Sequence, residues 1–239
     1  DLAGAALELY GAGLRGLADL RWYEPPPEAA AKAAEDLLVR LGAVDARGIT
    51  ELGRQMLRFP VHPRVGRMLC EAEARGVAKE ACVIAGLLGA RELRLERRGR
   101  GAEAKLSSPS DLIDDHDVFL DARGAGLRPD RLRRDGLDIG TAHTVDRAAK
   151  QLERIVSMKT LPPASDAAAD EQLQIAILAA YPDRVRCVEF GRTPEGRPML
   201  ALDIGAPLRP PAEASRRRAA RAGGDRRGAL HLRLGPRLP

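Results

Sequence analysis

The stretch from residue 28 to 69, EAAAKAAEDLLVRLGAVDARGITELGRQMLRFPVHPRVGRML, constrains the fold more than any other part of this chain. Ala30, Ala33, Ala34, Leu37, Leu38 and Leu41 recur at helical spacing and make one apolar stripe. Gly42 stands where a left-handed residue ends a helix. Val44, the turn-forming Asp45-Ala46-Arg47-Gly48 and Ile49 predict a short two-stranded ribbon with a polar tip. Thr50 is placed to cap a second helix running to about Phe59. Pro60 stops that helix, because it lacks an amide hydrogen. Helix, small hairpin, helix is the order of a winged-helix module.

The remaining chain is predicted to be mainly helical. Residues 1 to 20 fit one or two short helices, and Pro25-Pro26-Pro27 force an extended link. Trp22 is expected to anchor the core beside the next helix. Pro63 suits a first helical position, with Val65, Met68, Leu69 and Ala72 facing inward and Gly76 ending the helix. Ala81, Ile84, Ala85 and Leu88 repeat the stripe, and two helices so closely linked should pack antiparallel. Ser107-Ser108-Pro109 breaks the chain before a helix from Ser110-Asp111 through Phe119. Residues 121 to 140, rich in Gly, Asp and Arg, are expected to form a long loop. Thr144 is placed to cap a helix to Val156, with Val145, Ala148, Ala149, Leu152 and Val156 inward. Pro162-Pro163 separates it from a last helix striped by Leu173, Ala176, Ile177 and Ala180. Val188-Glu189-Phe190 and Met199 to Leu202 suggest two strands around Pro194-Glu195-Gly196. No solenoid repeat or sustained heptad is present.

Composition agrees with this plan. Apolar residues make up 44% of the chain but aromatics only 3%, so Ala, Leu and Val must fill the core, which favours close-packed helices over a sandwich. At 239 residues the chain is long enough for a sizeable core and two small domains. The net charge of +5 permits polyanion binding without demonstrating it. Arginine far outnumbers lysine, which codon bias in a GC-rich genome explains as well as phosphate binding does. Three separated cysteines without a Cys-x-x-Cys pair suit a reducing cytoplasm, and no apolar run is long enough to span a bilayer. The tail from about residue 206 has too few large apolar residues to complete a five-stranded barrel, so a disordered basic tail or a frame-shifted segment is expected. Because the chain opens at Asp1, it is also expected to be a fragment of a longer protein.

Few residues suggest chemistry. Gly11, Gly13 and Gly16 spell G-x-G-x-x-G, but the dinucleotide fold needs a buried strand before it and a long helix after it. Asp170-Glu171 opens an amphipathic helix instead of ending a strand, so it is no metal-nucleotide box. There is no G-x-x-x-x-G-K-[ST] loop, since Lys105 follows Ala104; ATP hydrolysis of that type is not expected of this chain alone. Consecutive Asp114 to Asp117 point to different helix faces and predict a solvated surface, not a metal site. His62 is expected to be a turn residue. No catalytic residue, bound cofactor or metal ligand is assigned. Arg91, Arg94, Arg97 and Arg98 are the candidate nucleic-acid-binding residues, since arginine contacts to phosphate give sequence-independent affinity. A solvated linker, its arginines compensated by Glu92, Glu96 and Glu103, is the competing account.

The same residues carry a family resemblance. Leu20-Arg21-Trp22, Pro25-Pro26-Pro27, Leu41-Gly42-Ala43-Val44-Asp45, Thr50-x-x-Gly53-Arg54 and Pro60-x-His62-Pro63-Arg64 occur in the order of the region just after the two motor domains of DEAH-box helicases. The pattern is most similar to the bacterial HrpB-type ATP-dependent helicases. It runs from about residue 1 to about 90 and returns at Ala179-Ala180-Tyr181-Pro182-Asp183-Arg184-Val185. The resemblance implies a winged-helix region at 1–62, a ratchet-like helical bundle at 63–185, and at 186–239 a remnant of a barrel-type module or an Arg-rich tail. It implies the accessory C-terminal portion of an RNA-directed helicase. There the winged helix braces the motor domains and the bundle closes one side of the nucleic-acid channel. ATP and magnesium would belong to motor domains upstream, and RNA or another single-stranded nucleic acid would be the partner. A free-standing winged-helix DNA-binding regulator is the alternative; it would read bases with Arg54, Gln55 and Arg58. A nucleotide-dependent enzyme using the glycines near residue 11 is the third reading.

Overall fold

The computed structural model describes residues 1–90, 93–94, 111–157, 163, 165–183, 185–192 and 198–204. For residue 111 and the last two segments it describes the backbone alone. The break at 107–109, the turn at 194–196 and the tail beyond 204 lie outside the described residues.

The chain begins with α1 (Ala3–Gly11) and a short 3₁₀ turn at Leu17–Asp19. An extended Pro27 leads into α2 (Glu28–Arg40). Glu28 in the first turn and Arg40 in the last complement the helix dipole. Gly42, at φ 71, ends the helix, and the Ala43 amide donates to the Leu38 carbonyl at 2.9 Å. The chain then forms β1 (Val44–Asp45) and β2 (Gly48–Ile49), paired antiparallel with Val44 opposite Ile49. Asp45 Oδ1 accepts the Arg47 amide at 2.7 Å and tightens the tip. Thr50 caps α3 (Glu51–Met56) by accepting the Gly53 amide, while its hydroxyl donates to the Gly42 carbonyl at 2.7 Å. One threonine thus ties both ends of the hairpin to the helix that follows. The helix-hairpin-helix order is as the sequence predicts, although α3 ends at Met56 rather than near Phe59.

The stripe of α2 is narrower than its spacing suggested. Ala34, Leu37, Leu38 and Leu41 are buried, but Ala30 and Ala33 are exposed and Ala31 packs inward instead. The two exposed alanines lie in the first two turns, before the helix reaches the core. Trp22 joins the core as expected, its Nε1 donating to the Leu17 carbonyl at 2.7 Å.

The helical part opens with α4 (Pro63–Arg75), which has proline in its first turn and a left-handed Gly76 as its cap, and continues with α5 (Ala78–Gly89). Every residue of α5 from Ala81 to Leu87 is buried, so it is the central helix and not an amphipathic one. It packs chiefly on α8 (Ile139–Glu153), and α4 packs chiefly on α9 (Asp166–Ala180). Gly86 permits the closest approach, since a Cβ there would meet the Val145 carbonyl oxygen at 3.0 Å. The four residues expected to stripe the last helix, Leu173, Ala176, Ile177 and Ala180, are all buried.

Residues 121 to 140 are not a long loop. Helix α6 (Asp111–Gly124) continues past Phe119, and α7 (Pro129–Arg134) follows with proline at its start. Gly126 and Gly136, both left-handed, turn the chain on either side of α7; Leu132 between them and Leu127 and Leu137, each directly after one of these glycines, are buried. Three leucines spaced five apart match neither a helix nor a strand period, so periodicity could not find them. Thr144 is likewise no cap. Asp138 caps α8 by accepting the Thr141 amide at 2.7 Å, and Thr144 donates back to the Gly140 carbonyl. That hydrogen bond from Thr141 holds the Asp138 carboxyl below its ordinary range.

One connected core runs from Ala3 in α1 to Ala180 in α9. After it, β3 (Val185–Arg192) and β4 (Pro198–Ile204) pair antiparallel, longer than expected and with an irregularity at Glu189/Gly191. Among the described residues no helix is long and apolar enough to cross a membrane.

Candidate nucleic-acid interface

Of the four arginines singled out from the sequence, Arg94 is described; Arg91, Arg97 and Arg98 lie outside the described residues. Arg94 forms an isolated antiparallel bridge to Leu137, and the neighbouring Leu93 carbonyl accepts the Asp138 amide at 2.9 Å. This backbone pairing fixes the segment beside the start of α8. The Arg94 side chain is 48% exposed and reaches Asp115 Oδ1 at 2.6 Å. Arg94 is therefore on the surface but half-engaged by a carboxylate, which a phosphate would have to displace.

Asp115 belongs to the 114–117 cluster, which is not the uniformly solvated face that consecutive polar residues suggested. His116 is only 3% exposed. Its Nδ1 lies 3.0 Å from Asp117 Oδ1, and its Nε2 is buried without a hydrogen-bond partner. Asp170 on α9 stands near both residues, and burial first, then the Asp117 charge, pushes its carboxyl up. Among the described residues no group of three or more His, Cys, Asp or Glu side chains could hold a metal ion.

The residues of the two alternative readings are placed otherwise than those readings need. Arg58, offered as a base-reading residue, bonds Glu73 at 2.6 Å and the Gln55 carbonyl at 3.1 Å, and lies over the Phe59 ring. Glu73 in turn accepts the Ser157 amide at 2.6 Å. Arg58 thus fastens α3 to α4 and to the end of α8. Gly11 is the last residue of helix α1, and Gly13 and Gly16 follow it, where a dinucleotide site needs a strand before its glycines.

Arg64 brings the two separated pieces of the family pattern together. Its guanidinium clamps Asp183 with two parallel hydrogen bonds, one of 2.7 Å, and donates a third to the Ala180 carbonyl at 3.0 Å. It also lies over the Tyr181 ring at 5.3 Å. A planar fork matched to a carboxylate, a helix-end carbonyl and an aromatic face is a set of partners that arginine alone can satisfy. His62, read as a turn residue, caps α4 beside it by accepting the Arg64 amide at its Nδ1. Pro60-x-His62-Pro63-Arg64 and Ala179 to Asp183 are thus one structural unit, 116 residues apart along the chain at their nearest bond.

A basic surface that the sequence patterns did not single out lies on α8. His143, Arg147, Lys150 and Arg154 are all exposed. Their spacing of four, three and four is the helical period, visible in the sequence as the complement of the inward stripe. At the inner edge of this face Asp146, 10% exposed, binds Lys150 Nζ at 2.7 Å and Arg123 Nε at 2.9 Å. Arg123 also reaches Glu153 at 2.8 Å, and that hydrogen bond raises the guanidinium above its usual range.

Comparison with known proteins agrees with this architecture. Residues 34–61 match the helicase associated domain (HA2), winged-helix. The matched segment runs from the core-facing part of α2 through the hairpin and α3 to the residue before His62. Over 100 residues the chain is 33% identical to the ATP-dependent RNA helicase HrpA of Escherichia coli, covering 39% of this chain and 8% of that protein. Over 188 residues it is 29% identical to the DExH-box ATP-dependent RNA helicase DExH1 of Arabidopsis thaliana, covering 71% of this chain and 19% of that protein. The chain therefore spans a small part of the length of these relatives. It carries a helicase-associated winged helix followed by a helical bundle, and it is similar to an accessory region of DEAH/DExH-box helicases.

Proposed function

We propose that this chain is the accessory C-terminal portion of an ATP-dependent RNA helicase of the HrpB type, working in the cytoplasm. In this reading residues 1–62 brace the motor domains, residues 63–185 line one side of the nucleic-acid channel, and residues 186–239 begin a barrel-type module or form an Arg-rich tail. ATP and magnesium are bound by motor domains encoded upstream, and single-stranded RNA is the partner. The observation that supports this best is the Arg58–Glu73 ion pair. At 2.6 Å it ties the end of the HA2-like segment to α4 of the bundle across one continuous apolar core, so the winged helix and the bundle form one unit rather than two tethered modules, and the Arg64 clamp closes that bundle between α4 and the end of α9. A brace that transmits force between a motor and its nucleic acid needs such stiffness. A winged-helix regulator needs a recognition helix free to enter a groove, and α3, six residues long with Arg58 held by Glu73, is poorly suited to that.

The test compares this chain with the polypeptide extended into the upstream reading frame. The extended protein is expected to hydrolyse ATP with magnesium and to be stimulated by RNA, and the chain alone is expected to show no turnover above background. Magnesium-dependent turnover by the chain alone, abolished by Lys105→Ala, would overturn the reading. So would an upstream frame lacking a phosphate-binding loop.

A further inference from the structure

We infer that the exposed face of α8, with Arg147 and Arg154 as its principal cations and His143 and Lys150 beside them, is a docking surface for the phosphate backbone of single-stranded RNA. This deepens the RNA-binding part of the function proposed above and adds a second set of phosphate-contacting residues to the 91–100 arginines.

The charge balance on this face identifies which cations are free. Arg123 and Lys150 share Asp146 and Glu153, so these four groups compensate one another locally. Arg147 makes a 3.4 Å hydrogen bond to Thr144 Oγ1, and among the described residues neither Arg147 nor Arg154 forms an ion pair. Two guanidiniums thus stand uncompensated on one side of the helix, with the exposed His143 beside them. From His143 to Arg154 the stripe extends for about 16 Å at the rise of an α-helix. Exposed Thr144 and Gln151 lie among the cations and add uncharged groups that can bond phosphate or sugar oxygens.

The chemistry of the face selects the partner. A protein interface of useful affinity has an apolar, well-packed centre. The large hydrophobic side chains exposed among the described residues are Tyr23, Val39, Leu57 and Leu120, none of them on α8. A line of separated point charges without an apolar centre suits a polyanion whose charges are also spaced along a line. Without aromatic platforms on which bases could stack, contact is expected to run through the phosphates and so to be independent of sequence. The stripe rests on a rigid base, because α8 is seated on the central α5 through Gly86 and Val145.

The experiment titrates the full chain with a fluorescent single-stranded RNA at several salt concentrations. Three proteins are compared: the parent, the double variant Arg147→Gln/Arg154→Gln, and a charge-control variant carrying Arg15→Gln and Lys79→Gln, both exposed and remote in sequence. The double variant is expected to bind more weakly, with a salt slope lower by about 1.4, or about 0.7 for each single-strand phosphate it no longer neutralises. The control is expected to keep the parent slope. Adding Lys150→Gln should lower the slope again, and thermal melting of each variant confirms that it remains folded. A double variant with the parent slope overturns the proposal. An equal drop in the control does so too, since net charge would then explain the binding. If poly-glutamate displaces the RNA at equal charge concentration, the partner is an acidic chain and the RNA assignment falls. None of these outcomes bears on the ATPase comparison, so the stripe and the helicase reading fail separately.

Discussion

Gly53 gives the sharpest test of how the winged helix is built. It lies in the first turn of α3, against the residue that precedes β1. A Cβ placed there would stand 2.1 Å from the Ala43 carbonyl oxygen and 2.8 Å from Ile49 Cγ1. The first of these neighbours is backbone, so no side-chain rotation relieves the clash. Gly53→Ala must push the Ala43 peptide away by roughly an ångström to reach an ordinary separation. That peptide oxygen accepts the Thr50 amide at 3.0 Å and the Thr50 hydroxyl lies 3.1 Å from it, so the shift strains the same threonine that caps α3. Losing these bonds costs roughly 1 kcal/mol each, and the overpacking adds about 1–3 kcal/mol. Against this, alanine in place of glycine favours a helix by roughly 1 kcal/mol. The net expectation is a loss of about 2–4 kcal/mol. Urea denaturation followed by circular dichroism measures it as a lower midpoint with an unchanged slope. Gly4→Ala is the control: its Cβ meets nothing within 4 Å, so the helix preference alone should act and the midpoint should hold or rise. If Gly53→Ala behaves like Gly4→Ala, α3 does not rest on Ala43 and the hairpin is packed differently.

Four further outcomes are expected. Leu38→Ala, at a side chain with 0% exposure, should cost about 2–5 kcal/mol in the same urea assay; an unchanged midpoint would remove the α2 stripe from the core. Burial pushes the Cys70 thiol up to about 11 and the Cys82 thiol up to about 12, so at pH 8 neither should be alkylated by iodoacetamide until the protein is unfolded, as site-resolved mass spectrometry would read. The unfolded chain releases these protons from about pH 9 while the folded one retains them, so stability should fall as pH rises from about 9 toward 11, and a flat profile would contradict the burial. Replacing Arg94, Arg97 and Arg98 together by alanine should lower the salt slope of RNA binding by about 0.7 for each phosphate these arginines neutralise; an untouched slope makes the 91–100 segment a solvated linker. The Arg94 share is expected to be the smallest, since Asp115 already engages it.

Short-range rules account for the features that the amino-acid order settles unaided. The cap at Thr50, the left-handed Gly42 and Gly76, the proline-led α4 and the buried face of α9 each depend on residues within a few positions of one another. Backbone geometry and 3.6-residue periodicity act at that range, so a sequence read alone resolves them. The ordered motifs likewise pointed to a helicase-associated region, because they preserve the spacing of those same local elements. Packing settles what depends on distant neighbours. Ala30 and Ala33 have the same propensity as Ala34, yet of the three Ala34 alone is buried. Leu127, Leu132 and Leu137 are buried because two glycine-bounded turns fold them inward, not because of any period. His116, one polar residue among aspartates in the sequence, is enclosed by the fold. Arg64 and Asp183 are two ordinary surface-type residues in the sequence. Their pairing exists because α4 lies along α9, and the free energy of bringing residues so far apart into one clamp comes from the shared apolar core beneath them, which no local pattern encodes.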